Sequence, residues 1–129
     1  MNLFIKICGI TNAKDAGLAV SFGANALGFM MYQKSHRYIP KQEVKEILKE
    51  LPDEIIPVMV FADPSIEYVD SCLKISSKII TQFHGNETAE FCSSFNRDFI
   101  KAIRVSKEEN LIAGFEKYSN SWMLLLDSY

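Results

Sequence analysis

Apolar runs rich in β-branched residues alternate with amphipathic, helix-favouring stretches from one end of this chain to the other, and that alternation leaves few folds open to it. Six runs read as strands: residues 4–8, 26–30, 55–61, 79–84, 99–104 and 122–126. Between them, helices are predicted over 13–22, 40–51, 63–75, 87–95 and 107–118, with a polar loop over 32–38. Thr11 or Asn12 can cap the first helix, Gly23 suits its exit, and Pro40 fits the first turn of the second. Strand tips recur roughly every 20 to 30 residues, the size of one βα unit. Right-handed crossovers and a parallel sheet follow, so the class is α/β. The strands are apolar throughout rather than alternating, as parallel strands covered on both faces are.

Two architectures satisfy this pattern. A doubly wound, flavodoxin-like sheet suits a single domain of 129 residues. A (βα)8 barrel needs eight units and about 200 residues or more. Length alone favours the open sheet.

Composition narrows the function classes. With 48% hydrophobic and 23% charged residues the chain can bury a real core, which argues against disorder. A net charge of -2 gives no electrostatic footprint for nucleic acid or an anionic membrane. Lys34, His36 and Arg37 form the only local basic cluster, so an anionic partner should be small. Cys8, Cys72 and Cys92 are widely spaced with no CxxC pair, which fits a reducing compartment better than a disulfide framework or structural zinc. The first apolar stretch is too short for a signal peptide or membrane span, and cytoplasm is the expected location.

Parallel α/β proteins do chemistry at the carboxyl ends of their strands. There the chain places Cys8, the sequence Gln82-Phe83-His84-Gly85, Arg104 and Asp127, with Ser35-His36-Arg37-Tyr38 in the second loop. Each has an ordinary alternative. Cys8 could be a small core hydrophobe, His84 a strand cap, Asp127 a turn former, Arg37 a solvated charge, and Arg104 half of a structural ion pair. Cys72 and Cys92 fall inside predicted helices and read as structural. Taken together, a thiol base, a carboxylic acid and a guanidinium clamp suit proton transfer on an acidic small molecule.

The words themselves are those of a known family. Lys6-Ile-Cys-Gly-Ile-Thr11 resembles the opening signature of the phosphoribosylanthranilate isomerases of tryptophan biosynthesis. Ala26-Leu-Gly-Phe29 resembles their second strand, Ser35-His-Arg-Tyr-Ile39 their SxRY(V/I) loop, and Thr81-Gln-Phe-His-Gly85 their QLHG motif. Val58-Met-Val-Phe61, Lys101-Ala-Ile-Arg104 and Leu124-Leu-Leu-Asp-Ser128 follow in the family's order. The resemblance spans the whole chain and implies a (βα)8 TIM barrel, overruling the length argument. It further implies an Amadori rearrangement with Cys8 as general base at C2, Asp127 as general acid on the ring oxygen, Arg37 holding the anthranilate carboxylate, and His84 lining the pocket. The implied partner is a small phosphorylated anthranilate; no cofactor, metal, nucleic acid or membrane is implied.

Some positions depart from the family's pattern. His36 stands where proline is frequent, Phe83 where leucine is usual and Met59 where glycine is common, changes expected beside the pocket. The family also continues past LLDS into two further βα units, whose loops in barrels commonly grip phosphate. The expectation is therefore one partial barrel domain over 1–129, βα units one to five plus strand six, with little activity alone. Its unpaired strand edges invite self-association. Competing readings are a non-catalytic open-sheet binding or scaffold protein, a metal site at Cys8, His84 and Asp127, and a related lysine-centred barrel of the same pathway.

Overall fold

In the computed structural model, which describes residues 2–106 and 108–128, eleven elements follow one another in strict alternation. They are β1 (Lys6–Cys8), α1 (Ala13–Ser21), β2 (Ala26–Met30), α2 (Lys41–Leu48), β3 (Ile56–Phe61), α3 (Ile66–Leu73), β4 (Ile80–Phe83), α4 (Ala89–Ser93), β5 (Phe99–Arg104), α5 (Glu108–Lys117) and β6 (Met123–Asp127). Lys107, the predicted start of the last helix, lies outside the described residues.

The six strands form one parallel sheet in the order β1-β2-β3-β4-β5-β6. Every crossover thus advances one strand in the same direction, and the helices stack on a single face. The core confirms this. Leu27, Phe29, Met59, Phe61 and Phe83 point from the sheet into one cluster with Ala16 of α1, Val44 and Ile47 of α2, Val69 and Cys72 of α3 and Cys92 of α4. A doubly wound sheet would divide its helices between two faces. The opposite face carries its own apolar set, Ala26, Val58, Val60 and Ile100, joined by Cys8, Met30 and Leu125. Such a wall is that of an incomplete (βα)8 barrel, and the flavodoxin-like alternative favoured by length is excluded.

The wall is curled. In a flat sheet β1 and β6 would stand five strand spacings apart, roughly 24 Å. Instead the Phe4 ring, just before β1, meets the Trp122 ring, just before β6, edge-on with centroids 5.8 Å apart.

Local chemistry sets the boundaries. Asn12, not Thr11, caps α1, its side-chain oxygen accepting from the Asp15 N–H at 2.8 Å. Gly23 leaves the same helix at φ +99°, where a side chain would be strained. Pro40 is the N-cap of α2 and Lys41 its first helical residue. Helix α3 starts later than the predicted residue 63, because Asp63 adopts φ +48° and Ser65 supplies the cap. β1 starts at Lys6 rather than residue 4, although the Ile5 carbonyl still accepts from the Asn25 and Ala26 N–H groups. No helix among the described residues is long and apolar enough to cross a membrane.

Candidate active site

Cys8 ends β1 opposite Gly28 of β2. A Cβ on Gly28 would lie 2.9 Å from the Cys8 sulfur, so glycine there leaves room for the thiol, which donates weakly to Met30 Sδ at 3.8 Å. The next residue, Gly9, has φ +88°, and a Cβ on it would fall 2.6 Å from Arg37 Cδ. This is why a glycine follows the cysteine: the chain turns through a conformation L side chains avoid, and the Arg37 side chain lies across it. Arg37 in turn donates from Nη1 to the Cys8 carbonyl at 3.1 Å, tying the second loop to the tip of the first strand.

We therefore expect Gly9→Ala to lose about 1–3 kcal/mol of stability, whereas Gly17→Ala in α1, where a Cβ meets nothing within 4 Å, should gain up to about 1 kcal/mol from helix propensity. Urea unfolding of the two variants side by side checks the opposite signs.

His84 follows β4 immediately, its backbone N–H donating to the Phe61 carbonyl at 2.8 Å. Its Nε2 lies 3.1 Å from Asp127 Oδ2, and its Nδ1 lies 3.1 Å from the Gln82 amide nitrogen. Asp127 closes β6 opposite Arg104 of β5, and the His84 and Asp127 side chains are about one third and two fifths exposed. β4 and β6 are not neighbours, so this contact exists because the sheet is concave. A hollow of about 400 Å³ at this end is lined by Met30, Tyr32, Arg37, Val60, His84 and Arg104 among others. A larger one of about 690 Å³ lies beyond His84 and Arg104, toward Lys101 and Lys117.

The fold thus gathers Arg37, His84 and Asp127 around one concave end and links Cys8 to Arg37 through its own carbonyl. Cys8 and Asp127 themselves stand on the first and last strands, with no hydrogen bond joining them among the described residues. Among those residues no three His, Cys, Asp or Glu side chains group as a metal set. In β5, Lys101 has its ammonium engaged by the Phe83, Gly85 and Ala102 carbonyls and by Glu87. Met59 and Phe83 point into the helix-side core rather than beside the hollow, which explains why larger side chains fit there; His36 does line it.

Three features go beyond the sequence reading. Gln82 is 1% exposed and contacts His84, a relation visible in the two-residue period of a strand. Arg104, marked at its strand tip but given no role, lines both hollows. At the wall of the larger hollow a clasp centred on the buried Glu87 holds the loops: Glu87 accepts from the Asp63 N–H at 2.8 Å and the Gly85 N–H at 2.9 Å, while Asp63 Oδ1 accepts from the Asn86 N–H at 2.8 Å.

Cys72 and Cys92 are fully buried, whereas Cys8 is partly open. Burial disfavours their thiolates, raising the Cys72 thiol and pushing that of Cys92 up to about 12. Iodoacetamide at pH 8 is accordingly expected to modify Cys8 alone in the folded chain, which mass spectrometry of the peptides reads. The fold holds the Cys92 thiol neutral. That contribution to stability is complete below the ordinary thiol range and is lost as pH rises toward about 12.

Comparison with known proteins agrees with this picture. The sequence profile of the N-(5'-phosphoribosyl)anthranilate (PRA) isomerase family matches residues 5–129. An N-(5'-phosphoribosyl)anthranilate isomerase of Marinomonas sp. is 42% identical over 129 residues, all of this chain and 63% of that protein. One from Nitrosospira multiformis is 40% identical, over 62% of its length. The crystal structure of phosphoribosyl anthranilate isomerase from Thermotoga maritima superposes with a TM-score of 0.91 at 35% identity, covering 99% of this chain and 62% of that one. A second structure of such an enzyme, in complex with reduced 1-(o-carboxyphenylamino)-1-deoxyribulose 5-phosphate, also gives 0.91 at 35% identity, with 99% and 66% covered.

Proposed function

The chain belongs to the N-(5'-phosphoribosyl)anthranilate isomerase family, and from that premise we propose that it carries the proton-transferring part of an isomerase acting on N-(5'-phosphoribosyl)anthranilate in tryptophan biosynthesis. The observation that carries the reading is the convergence of Arg37, His84 and Asp127 on the concave end whose first strand ends in Cys8. The chain spans 63% of the length of its Marinomonas relative. We take residues 1–129 as one barrel domain made of five βα units and a sixth strand, in a cytoplasmic enzyme.

In this reading Asp127 gives its proton to the furanose ring oxygen as the C1–O bond breaks. The anthranilate nitrogen lone pair supplies the electrons and a Schiff base results. Cys8, as thiolate, then removes the C2 proton; the C–H electrons form the enol amine, which tautomerises to the ketone. Arg37 clamps the anthranilate carboxylate in two parallel hydrogen bonds. Nothing in this sequence of steps draws on a metal or cofactor.

The test is turnover of N-(5'-phosphoribosyl)anthranilate by the 129-residue chain and by a fusion of it to the remaining third of the Marinomonas relative. The fusion is expected to be active and the chain alone to have little or no activity. An inactive but folded fusion would sink the isomerase reading; a chain as active alone as the fusion would sink the dependence on further units. The outer faces of the two edge strands bear on the second point. Ile7 of β1 is 40% exposed and Leu126 of β6 is 52% exposed, with unpaired backbone beside them. Self-association through these edges is part of the proposal, read by sedimentation of the chain at rising concentration.

A further inference from the structure

Resting on the isomerase reading, we propose that Gln82 is a positioning residue: its amide fixes the ring tautomer of His84, and the ring thereby aims the proton of Asp127 at the substrate. Gln82 lies in β4 and His84 just past its end, two residues apart, and the Gln82 amide nitrogen lies 3.1 Å from His84 Nδ1. An amide N–H can only donate, so Nδ1 must present its lone pair and the ring proton must sit on Nε2. That Nε2–H then donates to Asp127 Oδ2 at 3.1 Å.

The tautomer decides where a protonated Asp127 keeps its own proton. With Nε2–H donating, Oδ2 is an acceptor and the carboxyl proton is left on Oδ1, away from the ring. The same N–H stabilises the carboxylate once that proton has gone to the substrate. With the opposite tautomer, bare Nε2 would draw the carboxyl proton onto Oδ2, facing the histidine. A ring protonated on both nitrogens would pair with an ionised Asp127, which has no proton to give.

Gln82 is 1% exposed, and its Oε1 is buried with no hydrogen-bond partner among the described residues. A buried carbonyl oxygen left unpaired is costly. Turning the amide over would offer that oxygen to Nδ1–H instead. The amide orientation and the ring protonation are therefore one coupled choice, and the orientation with a donor toward His84 is the one that leaves Asp127 able to act as an acid.

The experiment is 15N NMR of the 129-residue chain labelled at histidine. The chain has two histidines, and His36→Asn assigns the pair. At a pH where the ring is neutral, His84 is expected to show a protonated Nε2 and a bare Nδ1. In Gln82→Glu an acceptor replaces the donor, and that signature should be lost in favour of a protonated Nδ1. Gln82→Met, which removes the donor, should mix the tautomers, and it serves if the glutamate variant fails to fold. A wild-type His84 protonated on Nδ1, or a signature unchanged in a folded Gln82 variant, overturns the proposal. The wild-type spectrum decides even if neither variant folds. Because this readout needs no turnover, its failure and a failure of the isomerase reading are told apart.

Discussion

Exchange of Cys8 for alanine in the active fusion is expected to lower kcat by roughly 10²- to 10⁴-fold, the range lost with a general base, while the melting temperature barely moves. The side chain is only partly buried and its one polar contact among the described residues is a weak one to Met30, so little packing is lost with the sulfur. Asp127→Asn should lose as much turnover for a different reason. The asparagine amide can still meet His84 Nε2 where Asp127 Oδ2 does now, so the site keeps its shape but has no carboxyl proton to deliver. Steady-state kinetics of both variants beside their thermal melts separate chemistry from folding. If either keeps near-normal kcat, its assigned role is wrong.

The second large effect is on stability. Lys101→Met is expected to cost about 3–5 kcal/mol, the scale of breaking a buried pair by removing one partner. A typical domain is held by only about 5–15 kcal/mol. The Lys101 and Glu87 side chains are 3% and 2% exposed, with the ammonium 3.3 Å from the carboxylate. Without it, Glu87 is a buried anion left with the Asp63 and Gly85 N–H donors, and the Phe83, Gly85 and Ala102 carbonyls lose a common donor. Replacing both partners with Lys101→Met and Glu87→Leu removes the stranded charge. Full recovery is not expected, because Glu87 also fastens the Asp63 and Gly85 N–H groups. Urea unfolding should order the three proteins as wild type, double variant and single variant. A single variant within 1 kcal/mol of wild type would mean the clasp carries little.

The strand ends were legible because each apolar run stops at a residue of different chemistry: Cys8, His84, Arg104 and Asp127 needed no knowledge of tertiary structure to be marked. β5 was legible to the residue for the same reason, whereas the end of β2 at Met30 is not marked this way, since Met31 continues its apolar run. Single winding was not legible from pattern alone, since the same alternation serves a sheet with helices on either face; the family words supplied it. Asp63 misled the start of α3 because a positive φ at a non-glycine residue is imposed by its surroundings, here the grip of Glu87 on its N–H. Lys101 and Glu87 stand 14 residues apart and became partners only once β5 lay beside β4. Gln82 could have been read from its two-residue spacing to His84, and the same parity would have sent Phe83 to the helix side.

The edge-on meeting of Phe4 and Trp122 joins the start of the first strand to the start of the last. The chain has a single tryptophan. Its indole therefore serves as a built-in optical gauge of curvature: any event that opens or tightens the arc between the two edge strands changes the surroundings of this one fluorophore, and emission colour reports it without a label.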